Sequence, residues 1–469
     1  MRFMGVKRRR GNCLILRRGD GKDERSPNFA PPGYQAWPCP ISGLLGWYSL
    51  GRPVLCAMKR PLSIGTLLLG LAACHTQTKQ PATTEATGPP ETANTAPTAT
   101  NSPGTSYQVY RALLPGQADS ITLHLVTTQL LADKTGASYF GSYYGADGHP
   151  YTLQGQPSAA PDSVALFDTS PEKGAPGTSP TAFWRLRRLP GGGGLAGTLG
   201  TQPVRLRRLR PAAGALTFAV RLFADSAAAF PKEPKSPVGY LSLQALVPVG
   251  GRAELRQALA TSILRDLRGD TLGTLAIGTL PALYQQQRQQ FIKDYRADAT
   301  DLRPAPADTA GVGPYGIGLR YENQLAAYVL CQQGNLLSLG FFRYDYSGGA
   351  HGNYGTTAAS YDLRTGRRLR YNDIFLPAAQ AQLPALLGQA VRPLVGLQPG
   401  EPLDQQLLVK QMPMTHNVFL TSGGVEFIYG PYEIASYAQG EIRVFLPLPA
   451  VQALLREGLP LPSSAVAKR

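Results

Sequence analysis

The sequence predicts an α+β protein: an antiparallel sheet with packed helices in its C-terminal part, preceded by a smaller, mostly β module. Three observations predict it. From about Tyr107 the chain breaks into short runs of period-2 alternation separated by Gly and Pro turns. Beyond about Ala215, stretches with helical spacing of apolar residues join the strands. Strand blocks and helix blocks do not alternate regularly, which disfavours a doubly wound sheet.

In the β module, residues 107–214, Ile121–Val126 alternates strictly. Ser138–Tyr144 leads into the turn Gly145-Ala146-Asp147-Gly148, and Tyr151–Gly155, Val164–Phe167, Phe183–Leu186 and Val204–Arg207 follow. Strands this short suit an antiparallel sheet or a small barrel. Arg205, Arg207 and Arg208 beside Arg185, Arg187 and Arg188 read either as a basic sheet face or as a solvated face next to Gly191–Gly194. In the second part, residues 215–458, Leu216–Phe223 and Tyr240–Pro248 are strands. Arg252–Leu267 places Leu255, Leu259, Ile263, Leu264 and Leu267 on one helical face, and Pro281–Tyr295 is a second helix. Tyr321–Leu330, Leu336–Tyr346 and Val444–Leu448 are strands; Ala378–Leu394 and Pro449–Glu457 are helices. Residues 459–469 form a tail.

The segment before the folded part bears on location. Met58-Lys59-Arg60 is a short positive run, and Pro61–Ala73 is an apolar core too short to span a bilayer. Leu71-Ala72-Ala73-Cys74 ends it as small residues followed by a thiol, the pattern of a lipoprotein signal peptide over residues 58–73. Cys74 is therefore the expected lipidation site and the lipid on it the expected link to a membrane. The expected location is the cell envelope, at the periplasmic face of an outer membrane. Residues 74–106, rich in Thr, Pro and Ala, form a tether with too little apolar bulk to fold. Residues 1–57 carry ten Lys and Arg against three Asp and Glu, +7 of the chain's +16. They read as an extension upstream of the real start at Met58, so no nucleic-acid partner is inferred from the charge. Cys331 is the one cysteine after Cys74, which excludes a disulfide within the folded part and fits a buried structural thiol. One Cys and scattered His make no metal cluster, and no cofactor motif is present.

Two passages carry the candidate site. The first runs from Tyr346-Ser347-Gly348-Gly349-Ala350-His351-Gly352-Asn353-Tyr354 through Asp362-Leu363-Arg364-Thr365-Gly366 to Asn372-Asp373-Ile374-Phe375. The glycines allow a sharp bend from which His351 and Asn353 project. The second is Tyr429-Gly430-Pro431-Tyr432-Glu433-Ile434-Ala435-Ser436-Tyr437-Ala438-Gln439-Gly440. On these motifs, residues 240–457 resemble the uncharacterised extracytoplasmic domain at the C-terminus of the lysozyme-binding anti-sigma factor of Gram-positive bacteria. The same domain lies in the non-catalytic part of a peptidoglycan deacetylase. The resemblance implies an α+β fold and a binding module for a lysozyme-like wall-associated protein or for peptidoglycan. The sigma-binding segment, the membrane helix and the deacetylase's catalytic domain have no counterpart in the sequence.

The expected binding residues are Gly348, Gly349, His351, Asn353, Tyr354, Tyr429, Tyr432, Glu433 and Tyr437, with Tyr344 and Tyr346 nearby. Tyr clusters provide rigid contact area at low entropic cost, although the same rings can pack the sheet beneath. The alternative is a wall hydrolase or deacetylase using His351 with Asp345 or Glu433 as acid–base pair and Ser347 or Tyr346 as nucleophile. No Gly-x-Ser-x-Gly elbow and no His-Glu-x-x-His helix accompanies them. His124, His149 and His416 read as structural or surface residues.

Overall fold

The computed structural model describes residues 105–129, 137–156, 160, 162–170, 183–270, 275–276, 278–302 and 319–462. The expected signal peptide, Cys74, residues 1–57 and nearly all of the tether lie outside the described residues. The described chain is mostly β, with an eight-stranded barrel and few helices.

Strands β1 (Ser106–Leu113), β2 (Ser120–Gln129), β3 (Ala137–Tyr144), β4 (Pro150–Gln156), β5 (Ser163–Asp168), β6 (Phe183–Arg188), β7 (Gly194–Leu199) and β8 (Gln202–Leu209) close in sequence order into an antiparallel barrel. Alternation explains its interior. Tyr110, Leu123, Leu125, Tyr143, Leu153, Leu166, Trp184, Leu186 and Leu206 point inward and form one packed core.

The chain then enters a six-stranded sheet. Its members are β9 (Thr217–Ala228), β10 (Val238–Val249), β11 (Tyr321–Gln333), β12 (Leu336–Ser347), β13 (Asn353–Asp362) and β14 (Arg367–Leu369), in spatial order β14-β13-β12-β11-β10-β9. The expected all-antiparallel sheet needs correction, because β10 and β11 run parallel. Helices α1 (Ala253–Arg268) and α2 (Leu280–Asp301) lie between them, and a crossover of that kind returns the chain to the same end of the sheet.

Helix α1 buries Leu259, Ile263 and Leu267 and stops at Gly269, whose φ of 75° ends the helix. Its Asp266 is also buried; it accepts from the Tyr361 hydroxyl at 2.6 Å and pairs with Arg368 at 2.7 Å. Helix α2 starts on a Thr279 hydroxyl accepting from the Ala282 amide, with Pro281 in its first turn. Its Tyr295 and Ala299 pack with Ala227 and Tyr321.

The last part holds α3 (Tyr371–Ile374), α4 (Ala379–Leu394), β15 (Val418–Leu420), β16 (Gly424–Tyr429), β17 (Ile442–Pro447) and α5 (Leu448–Val451), with β15-β16-β17 as a separate antiparallel sheet. Leu383, Leu387 and Val391 of α4 share a core with Phe427, Val444 and Leu446.

The barrel docks through the outer face of β2 and β3. A register shift between Val329 and Cys331 interrupts the β11–β12 ladder. Ser142 Oγ donates at this irregularity to the carbonyls of Val329 (2.7 Å) and Leu330 (2.8 Å). Phe140 meets Tyr328 and Phe342 alongside. Cys331 is buried and free, and burial pushes its thiol up to about 12. That is the inert thiol expected from sequence.

A second seam joins the β3–β4 turn to the β15–β16 turn. A Cβ on Gly423 would lie 1.6 Å from the Asp147 carbonyl oxygen, and one on Gly148 would lie 2.2 Å from the Gly423 amide. Both obstacles are backbone. Gly423→Ala is accordingly expected to lower stability by about 1–3 kcal/mol through overpacking, read as a lower urea midpoint at unchanged slope.

Candidate functional site

The sequence of β12 and β13 makes a long hairpin whose ends are joined by residues 348–352. Gly348 (φ 89°) and Gly349 (φ 95°) turn the chain in a region closed to most side chains. Tyr346 donates to the Gly349 carbonyl at 3.0 Å and braces the bend. Gly352 is required for space, since a Cβ there would meet the Tyr344 ring at 2.5 Å.

The three-stranded sheet is stitched to this hairpin by polar side chains. Asn417 accepts from the Ala358 amide at 2.8 Å and donates to the Thr356 carbonyl at 2.7 Å, substituting for a strand neighbour of β13. Ser338 donates to the Leu420 carbonyl, and the Leu420 amide donates to Ser360. Glu441 accepts from the Thr356 amide at 2.6 Å. These bonds place the β16–β17 connection, residues 430–441, beside the bend at 348–352.

An aromatic cluster results. His351 stacks on Tyr437 with centroids 3.7 Å apart and 22° between planes, while Tyr354 meets Tyr437 edge-on at 5.6 Å. Tyr437 donates to the Gly352 carbonyl at 2.7 Å, locking the two loops together. Tyr432 lies 5.8 Å from Tyr437 and its hydroxyl is 3.4 Å from His351 Nε2. His351 Nδ1 is 3.2 Å from the Gly352 carbonyl, so the Nδ1–H tautomer donates there and leaves Nε2 to accept from Tyr432.

Tyr432 is the outstanding member. It is 57% exposed and, at φ 67°, the one non-glycine residue with positive φ among the described residues. A bulky residue in that region is strained, and here the strain projects an aromatic ring into solvent.

The expected residues thus separate. Gly348, Gly349, His351, Tyr354, Tyr432 and Tyr437 come together. Asn353 is exposed at the start of β13, opposite Asp345. Glu433 is exposed but holds its own turn by accepting from the Gly430 amide at 2.9 Å. Tyr429 departs from expectation: it lies on the core side of β16, fully buried, with its hydroxyl donating to the Pro413 carbonyl at 2.8 Å. Burial raises its phenol pKa. Tyr344 is buried as well. As for the acid–base pair, Asp345 accepts from Asn323 at 2.8 Å, and neither Asp345 nor Glu433 is a hydrogen-bond partner of His351. Among the described residues no group of His, Cys, Asp and Glu is arranged to hold a metal ion. His149 stacks between Tyr151 and Phe445, and His416 stacks on Tyr371.

Two polar clusters that support these elements were not read from sequence. Arg443 is buried between the barrel and both sheets, donating to Thr152 (2.8 Å), Tyr328 (3.0 Å) and Glu441 (2.8 Å). His124 lies at the barrel seam between Tyr107 and Tyr144. A signal for the first exists: β16 and β17 each carry one charged residue, Glu426 and Arg443, inside an otherwise apolar run.

No curated protein matches the chain. Solved structures do match, two of them as follows. One is a member of the DUF3298 family from Bacteroides fragilis, at 24% identity over 52% of this chain and 95% of the other, with a TM-score of 0.44. The other is a DUF3298 family protein from Pseudomonas aeruginosa PAO1, at 20% identity over 52% and 97%, with a TM-score of 0.37. Residues 372–448, which span α3 to the start of α5 and include Tyr432 and Tyr437, match the family described as Protein of unknown function (DUF3298).

Proposed function

We propose that the chain is a lipid-anchored lipoprotein of the cell envelope, at the periplasmic face of an outer membrane. In this reading its C-terminal α+β domain is a non-catalytic binding module. The loops at 348–354 and 430–440 contact a wall-associated protein of lysozyme-like type or peptidoglycan, as the motifs shared with the anti-sigma factor and deacetylase domains suggest. One observation supports this above others: Tyr432 is held out in solvent in a strained backbone conformation, backed by His351 and Tyr437. An exposed aromatic with a rigid support loses little entropy on binding.

Retention of the purified protein on immobilised lysozyme and on peptidoglycan tests the reading. Tyr432→Ala is expected to weaken retention roughly 30-fold, the loss of one aromatic hot spot. His351→Ala is expected to act in the same direction by freeing Tyr432. If the wild-type protein is retained by neither ligand, the reading fails. Hydrolysis or deacetylation of muropeptides by the wild type would replace it with the enzymatic alternative.

A further inference from the structure

The barrel carries a charge pattern unrelated to the aromatic site. Arg185 and Arg187 on β6, Arg205 and Arg207 on β8 and Arg111 on β1 are all exposed, alternating with the inward Trp184, Leu186, Val204, Leu206, Tyr110 and Ala112. The register sets them side by side. Arg185 and Arg187 lie opposite Thr198 and Ala196 of β7, Ala196 and Gly194 lie opposite Arg205 and Arg207, and Arg207 lies opposite Arg111. Two walls of arginine therefore flank a floor of Gly194, Ala196 and Thr198, roughly 10 Å apart across two strand spacings.

Nothing within the described fold accounts for this arrangement. Strands β1, β6, β7 and β8 contain no Asp or Glu, and among the described residues none of the five arginines has an ion-pair partner. Like charges directly opposite each other, as at Arg111 and Arg207, destabilise a strand pair. Charges that guard a free sheet edge are also excluded as an explanation, because a closed barrel has no edge. The position is as informative. The barrel docks on β11 through β3, and β7 is four strands further round a ring of eight. The arginines of β6 and β8 thus lie on the side of the ring away from β11, while Arg111 stands on β1, whose other end reaches β9 through Tyr107 and Phe218.

We propose that this face docks on the anionic phospholipid headgroups of the membrane that holds the chain; the proposal rests on the reading of Cys74 as the lipid anchor. Guanidinium forks match phosphate oxygens in pairs, and the small floor leaves room for headgroups between the walls. Besides the arginines the face exposes one large apolar side chain, Leu113 two residues along β1 from Arg111, so contact is mainly electrostatic and salt-sensitive. Chain connectivity favours the bilayer as the occupant. Among the described residues, strand β1 is the first strand after Cys74, and it also borders the patch through Arg111. Cys74 and the start of β1 are separated by about 30 residues of sequence, a contour that lets the barrel reach the surface.

Flotation of the full chain carrying Cys74→Ser, which cannot be acylated, tests the face alone. The probes are vesicles of phosphatidylcholine and vesicles of phosphatidylcholine with phosphatidylglycerol in roughly equal parts. The wild-type face is expected to favour the anionic vesicles. The variant Arg185→Ser/Arg187→Ser/Arg205→Ser/Arg207→Ser is expected to bind them at least roughly tenfold more weakly, and the corresponding four-fold Arg→Lys variant to bind more tightly than the Ser variant and less tightly than the wild type, which separates charge from fold. Equal flotation of the wild type with both vesicle types, or of the Ser variant and the wild type with anionic ones, overturns the proposal. So does retention on duplex DNA without vesicle binding. Fatty-acid labelling of the native chain, compared with Cys74→Ser, reads the anchor separately: absence of label with vesicle binding intact removes the anchor and leaves the face.

Discussion

Arg443→Met is expected to cost about 3–5 kcal/mol of stability, the penalty for breaking a buried ion pair by removing one partner. Arg443 is 7% exposed and joins three elements at one point. Its donors reach Thr152 on β4 of the barrel, Tyr328 on β11 of the large sheet and Glu441 just before β17. Burial works against its charge, yet Tyr328, Glu441 and Glu426 outweigh that penalty and hold the guanidinium above its ordinary value. With methionine in its place, Glu426, at 2% exposure, and Glu441 stay in the interior without their countercharge. Adding Glu426→Gln to Arg443→Met should therefore recover part of the loss. Urea unfolding of the two variants and the wild type measures both effects. A loss below about 1 kcal/mol for Arg443→Met would show that the interior is wetter, or the pair weaker, than the geometry implies. The consequence extends to the aromatic site, because Glu441 also holds the Thr356 amide and so the relation between the two loops. Arg443→Met should weaken any ligand that spans Tyr432 and the 348–352 bend.

Much of this architecture was legible in the sequence where local pattern and burial agree. The alternation in Ile121–Val126 and Val204–Arg207 places barrel residues correctly inside and outside, and the apolar stripe of Arg252–Leu267 is the buried face of α1. The paired glycines at 348–349 take the positive φ that the bend needs. What stayed hidden depends on long-range pairing. Strand β7 is mostly small residues, and its Gly197 is enforced by the Arg185 carbonyl of the neighbouring strand, 1.9 Å from where a Cβ would be. The parallel pairing of β10 with β11 follows from a crossover of two helices, which periodicity does not reveal. Tyr429 and Tyr432 look alike in a motif four residues long; only the end of β16 at Tyr429 sends one ring to the core and the other to solvent.

Lowering the pH from about 6.5 toward 3 is expected to remove up to about 5 kcal/mol of stability through His124 alone. Its ring is buried at the barrel seam, 2.7 Å from the Tyr107 hydroxyl and 3.2 Å from that of Tyr144, whose own proton goes to the Gln332 carbonyl at 2.9 Å. Tyr144 can then only accept, which assigns the proton to Nε2 and leaves Nδ1 to accept from Tyr107. A second proton would require the Tyr107 hydroxyl to give up its bond to Nδ1 and turn to Gln332 Oε1, 3.4 Å away, and burial lowers the imidazole pKa from 6.5 to about 3. The sign follows from linkage. Below pH 6.5 the unfolded chain binds a proton that the folded chain excludes, so the contribution is complete above 6.5 and is lost as pH falls toward 3. About 2 kcal/mol of it should be gone by pH 5. Carboxylates titrate in the same range, and a difference between proteins separates them. His124→Gln is expected to be less stable than the wild type at pH 7.5, because Gln cannot reproduce both hydrogen bonds. Its further loss between pH 7.5 and pH 5 should be smaller by about 2 kcal/mol. Parallel pH profiles for the two proteins would show that His124 accepts a proton in the folded state, and that the seam between barrel and sheet opens to water.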